Sequence, residues 1–365
     1  MADTSLQARI ILEDGTEFEG ESFGHESSCA GEVVAYIGQA GLPQLLTDPA
    51  MRGVVLVLSQ PVAGASGIPN DTADSLGLAE SLESGEIQIA GLAVADYCGD
   101  PTRPDGNRGL SKWLKRHQIP AISGIDTRAL IRRLASRGSM RGKILSSTAR
   151  DVSFSTASLS NQPVNVSVKR SVSYGSGPRK IVLVDAGARN SVIRRLVTPE
   201  TTVLRVPCAH DYGKEQFDGI VIAGSPGDPT SCDKTASILA AALERKKPVF
   251  AVGQGTVILG MAAGASPYRM ANGHRGPGIP CVDLETGRCW ITAQNHGYGI
   301  RDDSLPAGWY PTFLNNSDNS LEGFASEKGL FSGVLFQPEG SPGPRDTAWL
   351  YDRFLAAVIS GGTQS

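Results

Sequence analysis

The sequence predicts a two-domain α/β protein, with a mixed β/α domain over residues 1–150 and an α/β domain with a mainly parallel central sheet over residues 179–365. Three observations predict it. The chain has 365 residues, about twice the usual size of one domain. Its first half opens on a hairpin signal. Its second half repeats a unit of bare apolar strand, glycine-bearing loop and helix, the pattern of a parallel sheet covered by helices.

The elements follow in order. Residues 8–13 (ARIILE), the turn signal Asp14-Gly15 and Thr16–Gly20 spell a hairpin. Val54–Leu58 is a short apolar run of buried-strand type, and 87–95 (IQIAGLAVA) predicts another strand. Helices are expected near 109–117 and over 127–138, the second closed by Gly138. Residues 151–178 are rich in Ser, Val, Pro and Gly without a sustained period and are read as an interdomain connection. Beyond it, Ile181–Val184 precedes a helix at 190–197. Gly219–Ala223 leads through the loop 224–229 to a helix near 233–245. Pro248–Val252 turns through Gly253-Gln254-Gly255 into the helical run Thr256–Ala263. Ligands of such sheets sit at the carboxyl ends of the strands, which makes the 224–229 loop and the 253–255 turn neighbouring site candidates.

Composition excludes several classes of function. A formal net charge of -3 gives no electrostatic case for nucleic acid or an anionic membrane, and no apolar run reaches the roughly 18 residues of a membrane span. Six scattered cysteines without a CxxC pair argue against a structural zinc site or redox dithiol. No signal-peptide pattern is visible, so reduced thiols in a cytoplasmic protein are the expectation. Nothing in the pattern points to a metal or an organic cofactor.

The order and spacing of several blocks resemble the small subunit of carbamoyl-phosphate synthase, whose second domain is a class I glutamine amidotransferase. The blocks are LEDGTEFEGESFG (12–24), GEVV (31–34), LLTDP (45–49), LKRHQIPAISGIDTRALIRRL (114–134), RGKILS (141–146), SPGDP (225–229), PVFAVGQGTVILGMAAGA (248–265), QNHGY (294–298) and PEGSPGPRDT (338–347). The resemblance implies the corresponding fold for each domain. It also implies a cysteine thiolate on the strand-to-helix turn, backbone donors for the oxyanion, and a histidine oriented by a glutamate as base and acid. The ammonia so released would pass to a large synthetase subunit.

This chain departs from that pattern where the chemistry sits. The turn that reads roughly G-I-C-L-G-H-Q in the family is Ala251-Val252-Gly253-Gln254-Gly255-Thr256-Val257, with glycine for the nucleophile and Val257 for a substrate-holding glutamine. The family's H-P-E is Gln337-Pro338-Glu339; a glutamine amide is no base near neutral pH. The stretch that lends a serine to the glutamine site reads Ala35–Leu42 around Gly38, K-R-N reads Arg189-Asn190-Ser191, and G-H-H-G reads Gly273-His274-Arg275-Gly276.

The expectation is therefore a small-subunit-like protein without glutamine hydrolysis, partnering a large synthetase subunit. The alternatives are a stand-alone enzyme of specialised biosynthesis that reuses the former glutamine pocket non-covalently, or a module binding a small molecule there. Glu339, His296, Gln337 and Gln254 are the candidate acid, base and polar groups. Gly38, Ser225, Gly227, Gly253, Thr256, Val257, Asn295, Gly297 and Tyr298 are the candidate substrate contacts. Asp185 and Asp228 read as loop-capping groups, Cys232 as a non-catalytic thiol, and neither His117 nor His274 has a partner identifiable from sequence.

Overall fold

The computed structural model describes residues 6–39, 41–70, 72–99, 109–154, 162–224 and 226–361. The chain forms two compact units that divide between residues 159 and 160.

The first unit holds β1 (Gln7–Leu12), β2 (Glu17–Ser22), β3 (Cys29–Tyr36), α1 (Leu42–Thr47), β4 (Val55–Leu58), β5 (Val62–Ala63), β6 (Gly91–Ala93), β7 (Asp96–Tyr97), α2 (Leu110–Arg116), β8 (Ala121–Ser123), α3 (Thr127–Arg137) and β9 (Met140–Ser146). Seven strands close into a barrel in the order β1-β2-β8-β6-β4-β3-β9, while β5 and β7 pair separately. The expected hairpin is present: β1 and β2 pair antiparallel around Gly15, whose φ is 84°. The run in β4 lacks alternation because both its faces are buried. Val55 and Val57 pack with Ile10, Leu12 and the α3 residues Leu130 and Leu134. Leu56 and Leu58 pack with Val34 and the α2 residues Leu110, Trp113 and Leu114. Helix α3 starts on Asp126, whose carboxylate accepts from Ala129 N, and ends at Gly138 with φ 84°. The strand expected over 87–95 shrinks to Gly91–Ala93.

The second unit holds α4 (Gln162–Val166), β10 (Val172–Gly175), β11 (Arg179–Asp185), α5 (Asn190–Leu196), β12 (Thr201–Pro207), β13 (Gly219–Ala223), α6 (Asp233–Leu243), β14 (Val249–Val252), α7 (Gly255–Ala263), β15 (Pro267–Asp283), β16 (Cys289–Ile300), β17 (Trp309–Asn315), β18 (Leu321–Ser326), β19 (Phe331–Val334) and α8 (Trp349–Ile359). One ten-stranded sheet runs β10-β12-β11-β13-β14-β19-β18-β17-β15-β16. Its centre, β12-β11-β13-β14-β19, is parallel throughout. The flanks are antiparallel, so the sheet is mixed, and the expectation of a mainly parallel sheet describes its centre. The segment 151–178, read as a connection, carries α4 and the edge strand β10. Short polar strands of this kind leave no apolar run, and pairing with β12 supplies the order.

The core lies between the parallel strands and two helices. Val182, Val184, Ile220, Ile222, Val249 and Ala251 pack with Leu239 of α6 and Val257 and Ile258 of α7. Helix α7 is buried continuously from Gly255 to Gly260, which is why it reads apolar on all sides. Close approach of two loops fixes one glycine. A Cβ on Gly224 (φ +76°) would lie 2.0 Å from the Gly187 carbonyl oxygen. Gly224→Ala is expected to cost about 2 kcal/mol or more, from positive-φ strain and backbone displacement. A lowered urea midpoint with unchanged slope is the check.

Candidate functional site

Parallel strands end together, and their loops form the candidate site. Ala223 at the end of β13 is registered with Val252 at the end of β14, and Val252 with Val334 at the end of β19. The loops 224–228, 253–254 and 335–343 are therefore adjacent. Ser225 lies outside the described residues. Gly227 has φ 70°, and Asp228 caps the following turn by accepting from Thr230 N and Oγ1 at 2.9 and 2.8 Å. Asp185, at the end of β11, accepts from Gly187 N, Ala188 N, Val168 N and Arg205 Nε at 2.7–3.0 Å. Both are loop-capping groups. Cys232 is buried in the core at 4% exposure, at the N-cap of α6.

Gly253 holds the strand-to-helix turn with φ 59°. Its N–H donates to Val334 O at 3.0 Å, and its carbonyl accepts from Thr256 N at 3.0 Å. A Cβ added here would meet nothing within 4 Å. The turn thus has room for a side chain, but glycine brings no reactive atom. The Thr256 hydroxyl is fully buried and donates to Val334 O at 2.8 Å, so it spans α7 and β19. Val257 is wholly buried in the core. Gln254 is buried at the head of α7, its carbonyl accepting from Val257 N at 3.0 Å. Gln337 is also buried; its N–H donates to Ala293 O of β16 at 2.8 Å, fastening the loop after β19 to that strand.

Glu339 is the most constrained of the expected residues. Its carboxylate is 1% exposed and forms an ion pair with Arg189, which leads into α5. Its other oxygen accepts from the Tyr351 hydroxyl of α8 at 3.1 Å. Burial, and then the Glu339 charge, push the Tyr351 hydroxyl well above its usual value. Arg189 also donates from Nη1 to Ser341 O at 2.9 Å. These contacts give Glu339 a fastening role between the entry to α5, the loop after β19 and α8. Sequence spacing could not show this, because Arg189 and Tyr351 sit on different elements.

The structure separates His296 from its neighbours in QNHGY. Alternation along β16 puts Gln294 and His296 on one face and Asn295 on the other. His296 is 1% exposed, with Nδ1 at 3.1 Å from Tyr298 O and Nε2 at 3.3 Å from Gln294 Oε1 and 3.4 Å from Glu322 Oε2. It stands among buried groups instead of facing open space. Asn295 is 6% exposed and registered opposite Arg275. A Cβ on Gly297 would lie 2.9 Å from an Arg275 guanidinium nitrogen, so the arginine of GHRG covers the Gly297 backbone. Tyr298 is partly exposed. Gly38 belongs to the first unit, where its N–H donates to Ser59 Oγ at 3.2 Å. His274, partnerless in the sequence, bonds Glu322 Oε1 through Nδ1 at 2.8 Å.

Comparison with known proteins fits this arrangement. Residues 182–357 match glutamine amidotransferase class-I, and residues 10–144 match the carbamoyl-phosphate synthase small chain, CPSase domain. The second unit is a class I glutamine amidotransferase domain, the class that its sheet and strand-turn-helix define. With both domains in this order, the chain belongs to the carbamoyl-phosphate synthase small-chain family. It is 43% identical over 358 residues to human "Carbamoyl-phosphate synthase [ammonia], mitochondrial", an alignment that takes in 97% of this chain and 24% of that protein. It is 38% identical to the protein of that name from Aquarana catesbeiana, over 99% of this chain and 24% of the relative. It is 37% identical to "Multifunctional protein pyr-3" of Neurospora crassa, over 100% of this chain and 22% of the relative. The chain thus spans about a quarter of the length of these relatives.

Proposed function

We propose that this chain is a small-chain-type component of carbamoyl-phosphate synthesis that does not hydrolyse glutamine, and that it serves a synthetase region supplied with free ammonia. The observation that carries the reading is Gly253: the turn has the position, the φ of 59° and the room, but no nucleophile. Gln337 in place of a base supports it, as does Glu339, which is tied to Arg189 where it would orient a histidine. The relatives named for ammonia agree with a synthetase that takes its nitrogen without a glutaminase step. Within such an assembly the retained fold would act as a structural and regulatory partner of the synthetase region.

The reading in which the former glutamine pocket has become a new acid–base site is less well supported, since Glu339 is ion-paired and His296 is buried among Gln294 and Glu322.

The test is reconstitution of the chain with the large synthetase region of a relative. Carbamoyl phosphate is expected to form with ammonium salts, and glutamine at the same nitrogen concentration is expected to give less than about 1% of that rate, the loss of one essential catalytic group alone being about 10⁴-fold. Glutamine-dependent synthesis at a comparable rate would overturn the proposal. So would failure of the two to co-purify.

A further inference from the structure

Two imidazoles and a carboxylate meet on three strands of the second unit. His274 of β15 and His296 of β16 are direct cross-strand partners, their rings edge-to-face with centroids 5.1 Å apart. Glu322 of β18 reaches both: Oε1 lies 2.8 Å from His274 Nδ1, and Oε2 lies 3.4 Å from His296 Nε2. The His296 and Glu322 side chains have no exposure, and that of His274 keeps 14%. Among the described residues, this is the one group of histidine, cysteine and carboxylate side chains whose ligand atoms lie close enough together, all within 4.8 Å, to hold a metal.

The outer contacts of the rings point the same way. His274 Nε2 faces the Asp318 carboxylate at 3.1 Å, and His296 Nδ1 faces the Tyr298 carbonyl at 3.1 Å. Each outer nitrogen therefore carries a proton, since its partner only accepts. In a ring held this way the inner nitrogen is the one free to ligate, and both inner nitrogens, His274 Nδ1 and His296 Nε2, turn toward Glu322. The Asn315 amide nitrogen donates to Glu322 Oε1 at 2.9 Å and lies 3.2 Å from His274 Nδ1. Glu322 Oε2 is buried without a hydrogen bond, a costly state for a carboxylate oxygen. A divalent cation between the three groups meets every one of these demands: it takes both lone pairs, neutralises the carboxylate, and leaves the outer N–H bonds to Asp318 and Tyr298. A carboxylate or backbone carbonyl behind each imidazole is the usual support of a metal-bound histidine.

We propose that His274, His296 and Glu322 form a site for a divalent transition-metal ion of the zinc type. Imidazole and carboxylate donors in this ratio suit zinc. Tetrahedral ligands at 2.0–2.2 Å stand roughly 3.4 Å apart, so closure from the present spacing takes side-chain shifts of about an ångström. Gln294 Oε1, 3.3 Å from His296 Nε2, is placed for the fourth position. The ion would clasp β15, β16 and β18 together, a structural role on the antiparallel flank of the sheet and separate from the Gly253 turn. No metal signal is legible in the sequence, because Glu322 lies 48 residues from His274 and no ligand pair has helical or loop spacing.

The test uses the full chain, stripped with chelator and titrated with cobalt(II) as a spectroscopic stand-in. One equivalent is expected to bind with the intense visible bands of a tetrahedral site, and zinc is expected to displace it. His274→Gln is expected to abolish that binding. Asp318→Asn changes a half-exposed residue outside the ligand set, so the protein should stay folded, and it is expected to weaken affinity by 10–100-fold, as loss of an outer-shell partner does. Cys289→Ser, which removes the exposed thiol, is expected to leave binding unchanged. Absence of a saturable equivalent, or binding that survives His274→Gln, would overturn the proposal.

Discussion

A Gly253→Cys, Gln337→His double variant is expected to release no more ammonia from glutamine than the unmodified protein does, although it supplies the cysteine and histidine of the family's pattern at those positions. The failure would not be steric at Gly253, where an added Cβ meets nothing within 4 Å. Its φ of 59° costs a non-glycine residue about 1–2 kcal/mol, which Gly253→Cys should show as a small drop in Tm. The thiol would stand at the head of α7, where the helix favours a thiolate. What is missing is an oriented base. A catalytic imidazole needs an acceptor that holds its tautomer, and losing that acceptor alone costs about 10⁴ in rate. Here the acceptor two residues on, Glu339, is bound by Arg189 and Tyr351. Val257, where the family's pattern has a substrate-holding glutamine, is packed into the core. A coupled assay of ammonia release decides the matter. Turnover above background would mean that Glu339 can leave Arg189 and that the pocket still accepts glutamine.

Local features of this architecture were legible in the sequence, and long-range ones were not. Asp14-Gly15 between alternating segments specifies the first hairpin, because turn chemistry is local. Gly138 closes α3 for the same reason. Bare apolar runs mark β11, β13 and β14, since a strand covered on both faces needs no polar side. Closure of the first unit into a barrel was not legible: it depends on β1 pairing with β9, and no local pattern encodes which distant strand completes a ring. The antiparallel ribbon of β15 and β16 was hidden by glycine, proline and charged residues, which lower strand propensity; its pairing register supplies the order instead. At the candidate site, a glycine at the strand-to-helix turn was plain from Gly253 itself. The fate of Glu339 was not, because its arginine lies 150 residues away, and nothing in the sequence pairs the two.

The Arg189–Glu339 pair should also dominate the stability of the second unit, and Arg189→Ala or Glu339→Ala is each expected to cost about 3–5 kcal/mol. The side chains of Arg189 and Glu339 are 6% and 1% exposed, so either deletion takes the opposite charge away from a buried ion. At roughly 2–4 °C per kcal/mol for a unit of this size, Tm should fall by ~6–20 °C. The pair joins three segments: the entry to α5, the loop after β19 through Ser341 O, and α8 through Tyr351, whose ring also packs edge-on against Phe250 at 5.2 Å. An Arg189→Met, Glu339→Leu double variant is expected to recover most of the loss, because apolar replacement of a buried ion pair is often close to neutral. The resulting double-mutant cycle should give a coupling of a few kcal/mol. The cycle also bears on function. If Glu339→Ala lowers Tm by less than about 2 °C, the carboxylate is not held by Arg189 and is free to act on a proton. In that case the Gly253→Cys, Gln337→His variant should gain activity and the account of a fastened, non-hydrolytic domain fails. A large drop together with an inactive double variant would mean that a residue suited to orienting a catalytic base here holds three segments of the fold together.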